Sequence, residues 1–175
     1  MRSLLLSLFA ATSLAQEAPR PEKFARPIEA PGLPNFHEVT PQLFRSAQPW
    51  REGFQQLEKR GIRTVISLRD DGADDEWAAG TRLKLVRIPM NLLKIDEAAV
   101  AQVLALLQKK EDGPFLIHCQ MGADRTGVVM ALWRITVQGW TREDAVAEMK
   151  ACGCSFPDFM EYVATADLAK LRAAK

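Results

Sequence analysis

One string in this chain has residue types and spacing suited to chemistry: His118-Cys119-Gln120-Met121-Gly122-Ala123-Asp124-Arg125-Thr126-Gly127. Before it stands PFLIHC (114–119), apolar and β-like; after it, Arg125 to Gln138 is strongly apolar and helical in character. A strand therefore ends at Cys119 and a helix begins near Arg125. In such a turn the backbone N–H groups of Gln120, Met121, Gly122, Ala123, Asp124 and Arg125 can face inward as a cradle for an anion. The helix N-terminus adds partial positive charge. Gly122 permits a backbone conformation that a side chain would hinder. Arg125 brings a planar fork that grips two phosphate oxygens. Helix N-termini and nearby cations favour thiolates, so Cys119 is expected to be a nucleophile. It would attack phosphorus and form a phosphocysteine that water then hydrolyses. His118 is expected to orient the loop through a ring hydrogen bond, and Thr126 to steady the sulfur with its hydroxyl. A buried structural cysteine is the bland alternative. It does not account for His, Cys, Gly, Arg and Thr at these spacings at a strand-to-helix junction.

The rest of the chain reads as the scaffold for that loop. FHEVT (36–40) and QLFRS (42–46) predict short strands. Trp50 to Arg60 predicts a helix, with Phe54 and Leu57 on one face and Gly61 as its stop. RTVISLR (63–69) predicts a buried strand, RDDGADDEW (69–77) an acidic turn, and LKLVRIP (83–89) another strand. Asp96 to Lys110 predicts an amphipathic helix. Thr141, with Asp144 three residues on, caps a further helix, and Phe156 to Lys170 closes the chain as a helix. Strands separated by helices imply an α/β single domain with a mostly parallel central sheet of four to five strands flanked by helices. Ligands in such sheets sit beyond the carboxyl ends of the strands, where Cys119 lies.

The ends and the composition set further bounds. Arg2, the apolar run Leu4 to Ala11 and Ser13-Leu14-Ala15 form a secretory signal pattern, with cleavage expected after Ala15. The apolar run is too short to span a bilayer, which takes about 20 residues. The expected product is exported, periplasmic or secreted, without stable membrane insertion. Residues 16–34 hold five of the ten prolines and predict an extended, mobile leader, with the domain running from Asn35 to Lys175. The 175 residues are 47% hydrophobic and 26% charged, an ordinary globular composition. Without residues 1–15 the 23 basic residues become 22, level with the 22 acidic ones. A neutral domain has no electrostatic footprint for nucleic acid. With three cysteines at least one thiol stays free. Cys152 and Cys154 are too close in sequence for an easy mutual bridge, and oxidative pairing of either with Cys119 stays open. Two distant histidines, His37 and His118, do not make a zinc set. The proposed chemistry needs no cofactor or metal.

HCQMGADRTG resembles the signature loop of the protein tyrosine and dual-specificity phosphatase superfamily, with Cys and Arg separated by five residues. LFRSAQP (43–49), ISLRD (66–70), VRIPM (86–90) and GWTREDAVAEM (139–149) are similar to small bacterial dual-specificity-like phosphatases. The resemblance covers residues 36–150 and implies a dual-specificity phosphatase-like fold. It also implies a general acid: an Asp on the loop after the strand preceding the long helix. That place holds Asn91, which cannot donate a proton as an acid does. Three alternatives stay open. Asp124 matches branches in which an Asp before the loop Arg is the proposed acid. Asp96 also suits the N-cap of the long helix. Asp70-Asp71 follows a neighbouring strand and also suits plain turn chemistry.

Arg45 and Arg69 flank strand ends, and ion pairing is the simpler expectation for both. Trp50, Trp77, Trp133 and Trp140 are expected in the core, with Trp77 alone near a substrate. The expected partner is a phosphorylated protein or small phosphorylated substrate, with protein tyrosine or dual-specificity phosphatase activity. The alternative is a phosphoinositide or inositol phosphate phosphatase. Related loops for polyphosphorylated inositols often carry Lys where this chain has Ala123. A rhodanese-like sulfurtransferase or a non-catalytic phosphate-binding module completes the alternatives. Oligomeric state is not encoded in any of these features.

Overall fold

Apolar strings without polar alternation need cover on both faces, and here they take the middle of a sheet. The computed structural model describes residues 20–91 and 94–173. Strands β1 (Arg26–Pro27), β2 (His37–Thr40), β3 (Leu43–Ser46), β4 (Thr64–Ser67), β5 (Lys84–Arg87) and β6 (Phe115–His118) form one sheet in the order β1-β2-β3-β6-β4-β5. The pairs β3–β6, β6–β4 and β4–β5 are parallel; β1–β2 and β2–β3 are antiparallel. β4 and β6 are buried along their whole length. The sheet has one strand more than the upper expectation, and the short extra strand β1 comes from the segment read as a leader.

Side-chain alternation divides the core between the two faces. Val65 and Leu116, paired in register, pack with Leu33, Phe36 and with Phe54 and Leu57 of α1 (Arg51–Lys59). Ile66 and Ile117 face the other way. They join Val100, Val103 and Leu104 of α3 (Glu97–Leu106) and Val128 and Val129 of α4 (Asp124–Gln138). α4 lies buried against this face and ends at Gly139, whose φ of 71° closes the helix in the left-handed region.

Several expectations need correction. The leader is not free: from Arg20 onward it packs on the domain. Phe24, Ala25 and Leu33 are buried, β1 extends the sheet, and the Ala25 N–H donates to Glu148. Apolar side chains spaced between the prolines supply this binding. The acidic turn contains a short helix, α2 (Ala73–Trp77), which directs Asp74 inward. The helix expected over 96–110 stops at Leu106, and a 3-10 turn follows at Lys110–Asp112. α5 (Arg142–Ala151) starts where expected, with the Asp144 N–H bonded to the Thr141 hydroxyl. The last helix is two: α6 (Pro157–Thr165) and α7 (Leu168–Ala173). Arg142 takes the carbonyls of Val163 and Ala166 at the end of α6, and Asp167 caps α7. The signal pattern over residues 1–15 lies outside the described residues.

Candidate active site

β6 delivers Cys119 to the carboxyl edge of the sheet, and the chain reaches α4 after one short loop. The loop carbonyls are tied to the protein body one after another. Cys119 O lies 3.4 Å from His118 Nδ1. Gln120 O accepts from Gln48 N at 3.2 Å, and Met121 O from Asn35 Nδ2 at 3.0 Å. Gly122 O accepts from Arg45 Nη2 at 2.6 Å, and Ala123 O from Gly127 N at 2.8 Å. In a planar trans peptide the N–H points opposite to the carbonyl. The N–H groups of residues 120–124 are therefore turned away from these anchors, and none from 120 to 125 meets a protein acceptor among the described residues. Such a row of unpartnered N–H groups can receive an anion. Gly122 has φ 66°, and a Cβ there would lie 2.3–2.4 Å from backbone atoms of Ser46 and Ala47. Only glycine fits that approach.

Arg125 is buried at the start of α4. Its Nη1 donates to Leu68 O at 3.1 Å and Met90 O at 3.3 Å, beyond the ends of β4 and β5. Its Nε has no partner among the described residues. The guanidinium is thus oriented from one edge, and the other edge can receive an anion. Arg45 departs from the ion-pair expectation. It is fully buried, bonds the loop carbonyls of Gly122 and Ala123, and leaves Nε and Nη1 without partners among the described residues. Its charge stands behind the loop. Arg69 does pair, with Asp71, and also donates to Gln48. All three cysteines are free and buried, so no disulfide joins Cys119 to Cys152 or Cys154. Thr126 Oγ1 is buried and bonds nothing among the described residues, so the expected bond to the Cys119 sulfur is not formed.

His118 stands beside the Cys119 carbonyl, and the sequence reading missed the residue that holds its ring. His118 Nε2 lies 2.8 Å from Asp74 Oδ2, with both side chains buried. Burial works to raise the Asp74 pKa. Hydrogen bonds from His118, Gln48 and Ser67, with the His118 charge, outweigh it and hold the carboxyl below its usual value. A signal was present: Asp74, Trp77 and Ala78 share a helical face, and all three turn inward or half inward.

The candidate acids are dispersed. Asp124 is half-buried at the start of α4, and its Oδ1 accepts the Ser155 N–H at 3.1 Å. Burial, with the Asp124 carboxylate beside it, pushes the neighbouring Cys154 thiol up to about 11. Asp96 caps α3, accepting from Ala98 N and Ala99 N. Asp71 is engaged with Arg69, and Asp70 is exposed on the same turn. Beside the loop runs a cleft of about 410 Å³, bordered by Pro34, Trp50, Arg69, Trp77 and Met121. Trp77 lies near the site as expected. Trp50 does not lie in the core: it is 61% exposed and borders the cleft, as does Met121 at 63%. A larger hollow of about 680 Å³ lies between the start of α3 and α7, bordered by Asn91 and Asp96, and holds no nucleophile.

A family model described as a DSP-PTPase phosphatase fused to NAD+ kinase matches residues 30–165, most of the chain and all of this site. The chain belongs to this phosphatase family. It is 36% identical over 163 residues to the dual specificity protein phosphatase TpbA of Pseudomonas aeruginosa, covering 90% of this chain and 73% of that protein. A crystal structure of a cysteine-to-serine variant of P. aeruginosa TpbA in complex with pTyr superimposes with a TM-score of 0.78 at 33% identity, covering 89% of this chain and 98% of that one. The inositol diphosphatase DSP5 of Arabidopsis thaliana is 27% identical over 127 residues, covering 68% of this chain and 62% of that protein. The phosphatase is a phosphoric monoester hydrolase.

Proposed function

We propose that the phosphatase acts on phosphotyrosine and related phosphoprotein esters through a phosphocysteine on Cys119. The observation that carries this is the ring of outward-tied carbonyls around Cys119, with Arg125 presenting a free edge. The phosphoryl oxygens take the loop N–H groups and the Arg125 fork. The Cys119 sulfur attacks phosphorus as the ester P–O bond breaks, and the leaving oxygen takes a proton from Asp124. Water then attacks phosphorus and gives its proton to Asp124. The S–P bond breaks and the thiolate is restored.

The cleft favours an aryl leaving group. Trp50, Trp77, Met121 and Pro34 offer apolar contact, and the one arginine on the wall is already paired with Asp71. A polyphosphorylated inositol would need unpaired cations there. The inositol diphosphatase relative keeps that second reading in place. The N-terminal pattern supports export with cleavage after Ala15, and among the described residues no helix is long and apolar enough to cross a membrane.

The test is turnover of phosphotyrosine peptides, phosphoserine peptides and inositol polyphosphates by protein recovered from the exported fraction, its N-terminus read by mass spectrometry. Phosphotyrosine peptides should lead, and Cys119→Ser should lower turnover by about 1,000-fold or more. Preference for the inositols would transfer the assignment to the second reading. A Cys119→Ser variant as active as wild type would sink the mechanism.

A further inference from the structure

Asp74 lies outside the signature loop, yet its carboxylate is buried directly behind it. Oδ2 accepts from His118 Nε2 at 2.8 Å, and Oδ1 from Gln48 Nε2 at 2.7 Å. The far side of the His118 ring faces the Cys119 carbonyl. Gln48 Oε1 in turn accepts from Arg69 Nη1 at 2.9 Å, on the wall of the cleft. A continuous chain of polar contacts thus runs from the cleft to the peptide that follows the nucleophile.

We infer that Asp74 is a positioning residue for the phosphatase reaction: it fixes the His118 ring, the ring fixes the Cys119 carbonyl, and that peptide aims the Gln120 N–H at the bound phosphoryl group. The carboxylate is suited to this because it only accepts. The three groups facing it, the His118 ring N–H, the Gln48 amide and the Ser67 hydroxyl, all donate. An amide at position 74 would set its own NH2 against one of them. The charged groups around Asp74 are His118 from β6, Arg87 from β5, Arg69 acting through Gln48, Asp71 beside Arg69, and Asp75 on its own helix. Arg87 is taken by Asp75, so it does not compete for the buried carboxylate. The inference rests on the phosphatase reading of the Cys119 site.

The experiment compares wild type, Asp74→Asn, Gln48→Met and the surface control Glu111→Gln, exposed in the 3-10 turn before β6. Two aryl phosphates, one activated and one with a poor leaving group, report turnover. The pH dependence of inactivation by iodoacetate, with protection by inorganic phosphate, reports the nucleophile. Asp74→Asn should lower kcat/KM by about 10–100-fold, equally for both esters, because a misplaced cradle affects each alike. Its inactivation curve should move to higher pH, since a peptide less polarised by the ring stabilises the thiolate less. Gln48→Met should shift both readouts in the same direction by about tenfold or less, and Glu111→Gln neither. A merely structural Asp74 would lower the melting temperature while leaving turnover per folded molecule within twofold and the inactivation curve in place, and that result overturns the inference. Should Asp74→Asn not fold, Gln48→Met decides by the same two readouts. Wild type without turnover would instead strike the phosphatase reading, a distinguishable failure.

Discussion

Asp124 stands where two demands meet. As the first residue of α4 it carries negative charge at the positive end of a helix, a favourable placement in any protein. Its Oδ1 also takes the Ser155 N–H, which turns the carboxyl toward the segment between α5 and α6. To act as the acid it must release or share that bond when an ester oxygen arrives. Asp124→Asn should therefore lower turnover of phosphotyrosine by about 100-fold while an activated aryl phosphate loses less than about tenfold. Equal losses on both esters would make Asp124 a structural carboxylate. The placement of Cys119, Arg125 and Gly122 was legible in the sequence because it arises within one short loop, from local spacing. Asp74 was not, because its partner His118 lies 44 residues away and only the fold brings them together. Trp50 was misplaced for a related reason: residue type predicts burial, but the rim of a cleft is decided by what packs next to it.

At the scale of elements, a buried ion pair joins α4 to α5. Arg134 donates through Nε and Nη2 to Glu148, at 3.1 and 2.7 Å, and both side chains are almost fully buried. Glu148 also accepts the Ala25 N–H, so the same carboxylate ties down the N-terminal segment. The Arg134 guanidinium stacks 4.3 Å from the Trp140 ring. Removing one partner leaves the other charge buried and alone. Glu148→Ala should cost about 3–5 kcal/mol in urea denaturation. Arg134→Met combined with Glu148→Leu should recover much of that loss; a double variant no better than the single would place the cost elsewhere. The strands and most helices were legible from periodicity. The break between α6 and α7 was not, because Arg142 satisfies the broken end from a distant element.

For the whole molecule, acid should loosen the N-terminal segment. His37, on β2 beneath β1, has its pKa lowered to about 4, chiefly by burial and further by the charges of Arg45 and Arg20. The folded state then binds fewer protons than the unfolded chain between pH 6.5 and about 4. Stability falls as pH drops through that window. Asp74, with its pKa lowered, contributes stability above the ordinary carboxyl range and loses it at still lower pH. The melting temperature should decline from pH 6.5 toward 4, and His37→Gln should flatten the decline; an unchanged slope in that variant would remove His37 as the cause. The packing of residues 20–34 escaped sequence reading because proline density suggests a free tether, while Phe24, Ala25 and Leu33 supply the burial that binds it. The tether matters to catalysis through Asn35, whose φ of 49° aims its amide at the carbonyls of both Met121 and Cys152. With Gln48 and Arg45, that makes three donors outside the loop holding its carbonyls before any anion arrives. A tetrahedral oxyanion such as vanadate should consequently dock into a mould already set, with little folding of the loop around it and a small entropic barrier to capture.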